Sequence, residues 1–240
     1  MIALVSDIHG NLEALRAVFG RIAPDERVAC LGDIVGYGPD PNACLALVRE
    51  RAAVTVLGNH DVGAIDNHGI EFFNEYARTA IEWTQGVLDA GHGAWLDSLS
   101  YEARIDDYLL VHGAPIDYFT YLLDVPAAER AFDATDAALI FVGHTHVAGY
   151  FARSATGAVA WTAMPDGGLL DLDPAARYVV NVGSVGQPRD RNNRASFCRF
   201  DPVARRITWE RVPYPLAQTQ AKMQRAALPE ALVRRLEAGR

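Results

Sequence analysis

Residues 2–11 read IALVSDIHGN, and this stretch decides the fold. Its four apolar residues, Ile2 to Val5, are typical of a strand that is buried on both faces. Asp7 and His9 follow where that strand ends, and Asn11 then precedes a segment with apolar residues at helical spacing. A buried strand, a polar loop and a helix in this order indicate an α/β fold, in which ligands bind beyond the carboxyl ends of the strands.

The same arrangement recurs along the chain. Five more short apolar runs predict buried strands at Val28–Leu31, Val54–Leu57, Tyr108–Val111, Leu139–Val142 and Tyr178–Val180. Four of them are followed by side chains that can bind a metal, namely Asp33, Asn59 with His60, His112, and His144 with His146. A cluster of polar groups at one sheet edge is costly without a partner, and a metal ion supplies one.

The predicted ligand set contains carboxylates and imidazoles but no thiolate. It consists of Asp7, His9, Asp33, Asn59, His112, His144 and His146. This mixture favours Mn, Fe, Zn, Ni or Co over calcium, and we take manganese as the first choice. Seven ligands are too many for one tetrahedral site, so we expect two divalent ions that share a carboxylate. Such a centre carries a net positive charge, which suits a phosphate ester.

Length and composition predict one α/β domain over residues 1–240. Half of the residues are hydrophobic, and the chain contains no apolar run of the roughly 20 residues that a membrane span needs. We expect a helical, aromatic cover at about 66–104 and C-terminal helices at about 217–238. The basic residues of that last segment form either a solvated helix face or a homodimer contact.

Charge and cysteine usage limit the partners and the compartment. The formal net charge of -8 argues against stable binding to nucleic acid or to an anionic membrane. Because no basic leader precedes Asp7, we expect a cytoplasmic protein. Cys30, Cys44 and Cys198 are expected to be buried free thiols, and His68 and His92 to be solvated surface residues.

Taken together, the motifs resemble those of the calcineurin-like metallophosphoesterase superfamily over roughly residues 1–190. The matching blocks are Asp7-Ile8-His9-Gly10-Asn11, Gly32-Asp33, Gly58-Asn59-His60-Asp61, His112 and Gly143-His144-Thr145-His146. The resemblance implies a four-layer α-β-β-α sandwich of two mixed β-sheets flanked by helices. It implies that Asp7, His9 and His146 bind the first metal. Asn59, His112 and His144 would bind the second metal, and Asp33 would bridge both.

The resemblance also implies a mechanism. A hydroxide bridging the metals would attack phosphorus, while His60 faces the substrate and stabilises the transition state or protonates the leaving group. The acid and the arginine that follow Gly-Asp in Ser/Thr protein phosphatases are absent after Asp33, which argues against a phosphoprotein substrate. We therefore expect a phosphodiesterase or phosphomonoesterase for a small, nucleotide-like ester. The rivals are a non-catalytic scaffold for protein interaction and a nuclease of the same superfamily.

Four features leave alternatives open. Arg189 is a candidate contact for the substrate phosphate, but an ion pair with Asp190 or with another surface acid is equally compatible with the sequence. Asp61 either orients His60 or holds a turn. Asn11 is expected to cap a helix rather than to touch substrate. The aromatic residues at 72–83 and 118–121 either stack on a nucleobase or pack within the cover.

Overall fold

The computed structural model describes residues 1–67 and 69–240. The first half contains β1 (Ile2–Val5), α1 (Leu12–Phe19), β2 (Arg27–Cys30), α2 (Pro41–Arg51), β3 (Ala52–Thr55), α3 (Asn59–Asp66), a 3₁₀ turn at Ile70–Phe72, α4 (Glu75–Val87), α5 (Ala90–Asp97), β4 (Glu102–Ile105) and β5 (Tyr108–Val111). The second half contains α6 (Val125–Asp133), β6 (Leu139–Val142), β7 (Gly149–Arg153), β8 (Val159–Ala163), β9 (Gly168–Asp171), β10 (Arg177–Asn181), β11 (Ala195–Asp201), β12 (Arg206–Val212), α7 (Leu216–Arg225) and α8 (Glu230–Ala238).

The strands form two six-stranded mixed sheets. The first has the order β3-β2-β1-β11-β12-β9, and the second has the order β4-β5-β6-β10-β7-β8. In the first sheet β1, β2 and β3 are parallel, while β11, β12 and β9 run antiparallel to their neighbours. In the second sheet β5, β6 and β10 are parallel. The parallel strands form one half of the first sheet and the middle of the second, and the carboxyl ends of each parallel group share one edge.

The alternation of side chains within β1 shows how the layers form. Ile2 and Leu4 belong to the apolar core between the two sheets, whereas Ala3 and Val5 belong to the core under α1 and α2. Successive side chains of a strand point to opposite faces, so a strand that is apolar at every position fills both cores. A third core joins the outer face of the second sheet to α6. The result is the expected α-β-β-α sandwich.

Most predicted elements are confirmed, and the differences have local causes. The strand expected at Val54–Leu57 begins two residues earlier, at Ala52–Thr55, and is only partly buried because it lies at the edge of its sheet. Strand β4 and helix α6 were not predicted from the sequence. Both are edge or amphipathic elements whose apolar pattern is diluted by charged residues. All three cysteines are buried free thiols, as expected.

Two helical regions pack beside the edge where the polar residues lie. Helix α3 contacts both α4 and α5, and α7 packs against α8 and α1. An apolar cluster joins Tyr37, from the loop after β2, to Ala77 and Ala80 on α4 and to Leu232 and Leu236 on α8. No helix of the described ranges is long and apolar enough to span a membrane. His68 lies outside the described residues, and His92 is half-buried on α5 rather than fully solvated.

Candidate metal centre

Six of the seven predicted ligands form two groups of converging side chains. One group contains Asp7, His9, Asp33 and His146, and the other contains Asp33, His112 and His144. Within each group the potential ligand atoms all lie within 4.8 Å of one another. The seventh, Asn59, lies next to His144 in the wall of a cavity, and its Oδ1 is buried without a hydrogen-bond partner. Only Asp33 belongs to both groups.

The backbone at these residues is strained. Asp7, His9 and Asp33 have φ values of 53°, 49° and 52°, and His144 and His146 have φ values of 64° and 60°. Left-handed backbone costs about 1–3 kcal/mol for each such residue and persists only where the surroundings impose it. Because this conformation turns the chain sharply after each strand, the side chains are directed across the sheet edge toward one another. Clustered strain of this kind is typical of functional sites.

Three imidazoles are oriented by backbone carbonyl groups. Nδ1 of His9 lies 3.0 Å from the carbonyl oxygen of Val35. Nδ1 of His112 lies 2.7 Å from that of Leu31, and Nδ1 of His146 lies 2.6 Å from that of Gln187. Since each Nδ1 faces a carbonyl oxygen, the Nε2 atom of each ring is left to face the centre. The Nε2 atoms of His9 and His146 are only 3.1 Å apart, an arrangement that a cation between them would stabilise.

The two carboxylates are held by backbone amides. The N–H of His60 donates to Oδ1 of Asp33 at 2.8 Å, which leaves Oδ2 facing His9 at 3.5 Å and His112 at 3.3 Å. The N–H of His144 donates to both oxygens of Asp7, at 3.0 and 3.2 Å. Glycine is required at position 58, because a Cβ on Gly58 would overlap Asp33.

Electrostatics within the cluster are dominated by burial and by the two carboxylates. Burial opposes a charge on His112, but Asp33 and Asp7 outweigh it and raise the pKa of His112 to about 9. Burial lowers the pKa of His144 to about 3 and that of His60 to about 4. Without a cation, His112 therefore carries a proton that faces Asp33, and a divalent ion would take the place of that proton.

His60 lies between two aromatic rings. Its imidazole centroid is 4.4 Å from that of Tyr37 and 4.5 Å from that of Phe73. Its Nδ1 is buried and has no hydrogen-bond partner. Gly36 has a φ of +83°, and a Cβ at this position would overlap Nδ1 of His60. The ring is thus fixed by packing rather than by a polar neighbour.

Asp61 holds the backbone and makes no hydrogen bond to the His60 ring. Its Oδ1 accepts from the N–H groups of Ile34 at 2.8 Å and Val35 at 3.1 Å, and its Oδ2 accepts from Gly58 at 3.1 Å. These bonds tie the loop after β2 to the start of α3. Of the two roles that the sequence allowed, the geometry favours the structural one.

Asn11 also has a structural environment. Its Oδ1 accepts from the N–H of Ala14 at 3.2 Å, which caps α1. Its Nδ2 donates to the carbonyl oxygen of Gly186 at 2.9 Å, and the hydroxyl of Thr219 donates to its Oδ1 at 2.9 Å. With only 1% of its surface exposed, Asn11 is positioned as the cap that the sequence predicted.

Arg189 lies beside the cluster and does not pair with Asp190. Its guanidinium donates to Gln187 Oε1 at 3.0 Å, and its carbon Cζ lies 5.8 Å from the ring centroid of Tyr37. Asp190 instead forms an ion pair with Arg211, and the side chains of both are nearly fully buried. The ion pair offered as the alternative for Arg189 is therefore not formed.

Sequence reasoning did not single out Asn181 and Ser184, which connect the loops of the cluster. Nδ2 of Asn181 donates to the carbonyl oxygen of Gly143 at 2.5 Å and to the Thr145 hydroxyl at 2.9 Å. The hydroxyl of Ser184 donates to the carbonyl oxygen of Asp7 at 2.8 Å. Asn181 is the last residue of the buried strand β10 and Ser184 lies just beyond it, and this position at a strand end was the available signal.

An aromatic cavity of about 530 Å³ opens beside Asn59 and His144. Four aromatic residues line it: Phe72, Phe73, Phe119 and Tyr121. The ring of Tyr121 stacks on His144 with a centroid distance of 3.8 Å, and 86% of the Phe72 surface is exposed. Neither lysine nor arginine occurs among the described residues that line it.

Comparisons with known proteins agree with this geometry. A family model for calcineurin-like phosphoesterases matches residues 1–148. A crystal structure of a metallophosphoesterase from Sphaerobacter thermophilus is 42% identical, has a TM-score of 0.90, and aligns over 100% of this chain and 99% of the other. An uncharacterised protein of Methanocaldococcus jannaschii is 39% identical over 100% of this chain and 98% of its own length.

A more distant relative has a named activity. The symmetrical bis(5'-nucleosyl)-tetraphosphatase of Dechloromonas aromatica is 32% identical over 127 residues, which cover 48% of this chain and 44% of that protein. The family model spans β1 to β6 and all of the predicted ligands. On the match to that model, the chain belongs to the calcineurin-like phosphoesterase family.

Proposed function

We propose that the protein is a dinuclear, metal-dependent hydrolase of small phosphoesters. The observation that carries this proposal is the sharing of Asp33 by two groups of buried potential ligands. Asp7, His9 and His146 would complete one metal site, while Asn59, His112 and His144 would complete the other. A shared carboxylate between two such sets fits two divalent ions better than one.

The donor set supports divalent cations. The Nε2 atoms of His9 and His146 face each other at 3.1 Å with both Nδ1 atoms engaged by carbonyl oxygens. Nδ1 of His144 lies 3.0 Å from Nε2 of His112, and Oδ1 of Asn59 is buried without a hydrogen-bond partner among the described residues. Imidazole, carboxylate and amide ligands suit manganese, our first choice, and also Fe, Zn, Ni and Co. When bound, the ions would lower the pKa of water to about 7 and provide a nucleophile at neutral pH.

The residues of the chain would perform the remaining tasks. His60 would face the substrate and donate a hydrogen bond from its ring to an oxygen whose negative charge increases in the transition state. Its packing between Tyr37 and Phe73 would keep the ring in place during the reaction. Arg189 carries no ion pair among the described residues and is available to an anionic substrate.

The aromatic cavity supports a nucleotide-like substrate. It adjoins Asn59 and His144, so a group bound there would be attached to the ester at the second metal. Phe72 and Tyr121 expose large ring surfaces, and base stacking on such rings contributes about 1–3 kcal/mol per base. The activity in the name of the tetraphosphatase relative also supports a small nucleotide substrate.

Metal content and turnover test the central proposal together. Purified protein should contain about two metal equivalents per chain and hydrolyse bis(p-nitrophenyl) phosphate or p-nitrophenyl phosphate with added Mn²⁺. Asp33→Ala should lose both metal and turnover. His60→Ala should retain metal and lose about 10²–10³-fold in kcat. His92→Ala, on α5 and outside both ligand groups, is the matched control.

Three results would contradict the proposal. Protein that takes up no metal and hydrolyses neither ester would favour the non-catalytic scaffold. If the protein binds a single metal equivalent and Asp33→Ala still binds it, Asp33 does not bridge two metals. Turnover of duplex or single-stranded DNA at rates above those of the small esters would favour the nuclease.

The substrate proposal has its own test. Tyr121→Ala should raise the KM for the p-nitrophenyl ester of thymidine 5'-phosphate by about 5- to 100-fold, since one base stack is lost. The KM for methyl p-nitrophenyl phosphate, which has no base, should change by less than about twofold. Equal changes for both esters would mean that Tyr121 supports His144 rather than the base.

A further inference from the structure

We propose that Arg189 and Arg235 form a second anion site beside the metal centre, which takes a phosphate group other than the one that reacts. This site would select esters with at least two linked phosphates. The inference rests on the proposed function for its place in catalysis. Its test measures binding and needs no turnover.

Two guanidinium groups converge on one neutral oxygen. Arg189 Nη2 lies 3.0 Å from Gln187 Oε1, and Arg235 Nη1 lies 3.3 Å from the same atom. Arg189 Nη2 also approaches the hydroxyl of Tyr37 at 3.4 Å. Both arginines are half-buried, so their charges are incompletely screened by solvent. Like charges held this close are stabilised by an anion that contacts both.

No acidic side chain fills that role. In residues 1–67 and 69–240, no carboxylate forms an ion pair with either arginine. The acids nearest in sequence are engaged elsewhere, since Asp190 pairs with Arg211 and Glu230 with Arg234. The protein has a formal net charge of -8, so an arginine pair without a neighbouring acid runs against its overall composition.

Unused hydrogen-bond donors provide independent support. Arg189 Nε and Gln187 Nε2 are both buried and have no hydrogen-bond partner in the part of the chain that the structure describes. Gln187 has only 1% of its surface exposed, so solvent does not satisfy its amide readily. Buried donors without acceptors are unusual in native proteins and call for a partner such as a bound anion. A phosphate group offers several acceptor oxygens to a set of donors of this kind.

The arginine pair adjoins the metal centre but is separate from it. The ring of Tyr37 lies 4.6 Å from that of His9 and 4.4 Å from that of His60, by centroids. The guanidinium of Arg189 lies 5.8 Å from the same Tyr37 ring. The backbone N–H of Arg189 also donates to the carbonyl oxygen of His146 at 3.1 Å. A substrate with a second anionic group beyond the reacting phosphate would engage both places.

The C-terminal helix completes the site. Arg235 lies on α8, far in sequence from the first 148 residues that match the family model. Leu232 and Leu236 on the same helix pack in the cluster that includes Tyr37. The helix end is fixed because the N–H of Arg191 donates to the carbonyl oxygen of Gly239 at 2.8 Å. The position of Arg235 is therefore set by apolar packing and backbone bonds.

Calorimetric titration of the manganese-loaded protein tests the site with two non-hydrolysable probes. Methylphosphonate has one anionic group, and methylenebisphosphonate has two. We expect Arg235→Gln to weaken binding of the bisphosphonate about tenfold, which is about 1.4 kcal/mol, and that of methylphosphonate less than twofold. Arg234→Gln is the matched control, because Arg234 is its exposed neighbour on α8 and pairs with Glu230. It should leave both affinities unchanged.

Each outcome decides the question. Loss of affinity for the bisphosphonate alone supports the second site. Equal loss for both probes, or no loss, overturns it, because the pair would then contact the reacting phosphate or only hold α8. Measurement of the manganese content after the titration shows whether the bisphosphonate has removed the metal by chelation. If Arg235→Gln does not fold, Arg235→Lys keeps the charge and the stem but loses the fork, and unchanged bisphosphonate binding in that variant overturns the proposal.

The two proposals fail in different ways. If the wild-type protein shows no turnover but still binds the bisphosphonate through Arg235, the proposed anion site stands and the proposed phosphoesterase activity fails. If the protein hydrolyses simple esters but Arg235→Gln has no selective effect on binding of the bisphosphonate, the proposed phosphoesterase activity stands and the proposed anion site fails.

Discussion

Replacement of Asp61 separates a structural role from a catalytic one. Its carboxylate accepts from the backbone N–H groups of Ile34, Val35 and Gly58 at 2.8 to 3.1 Å, and all three residues are buried. Asp61→Ala leaves these donors without an acceptor, at about 1–3 kcal/mol each. Because water can enter the space that the side chain leaves, we expect a total loss of about 3–6 kcal/mol in the free energy of unfolding.

Asp61→Asn gives a graded comparison. The amide oxygen can still accept from Ile34 and Val35, but the amide nitrogen would face the N–H of Gly58. We therefore expect a loss of about 1–3 kcal/mol, the price of one unsatisfied donor. Urea unfolding followed by circular dichroism at one fixed manganese concentration measures both values, since bound metal itself adds stability.

The kinetic result completes the test. A structural role predicts that Asp61→Asn, once folded and saturated with metal, keeps kcat within about fivefold of the wild type. If the free energy of unfolding of Asp61→Ala lies within about 1 kcal/mol of the wild-type value while its kcat falls more than about 100-fold, the carboxylate orients His60 and the structural account is wrong.

Two further substitutions test residues that hold the loops of the site. Asn181→Ala removes the donor to Gly143 and Thr145, so we expect manganese affinity, measured by titration, to fall about 10–100-fold although no ligand is lost. Unchanged affinity would mean that the loop holds its shape without Asn181. Asn11→Ala removes the acceptor for the N–H of Ala14 and should cost about 1–2 kcal/mol in urea unfolding. A large rise in KM at unchanged stability would instead make Asn11 a substrate contact.

The identity of the candidate ligands could be predicted from the sequence because each follows a short apolar run. Strands that are buried on both faces give an almost continuous apolar signal, and the polar residue after each one stands out against it. Asp7, Asp33 and His112 were found in this way. Edge elements give weaker signals, which is why β4 went unpredicted and why β3 was placed too far along the chain.

Residues that act through long-range contacts gave no such signal. Tyr37 follows β2 as one aromatic residue in a glycine-rich loop, yet its ring contacts His9 and His60 and its hydroxyl approaches Arg189. From the sequence alone, Arg235 is assigned to the basic face of a C-terminal helix. Its contact with Gln187 joins residues 48 positions apart, and hydrophobic periodicity carries no information on such pairs.

While the four layers were implied by the resemblance to a known family, the local pattern of the sequence by itself determined the α/β class of the fold and the kinds of side chain that follow its buried strands. Both follow from local rules, because burial fixes the apolar runs and a strand end fixes where a polar residue is tolerated. The resemblance implied a division of those side chains around Asp33, but only the tertiary structure decided that they converge in two groups that share Asp33, since that depends on the order of strands in two sheets. It also decided that Arg189 has a second arginine rather than Asp190 beside it. The physical reason is that packing between elements distant in the chain sets these neighbours, and no local pattern encodes it.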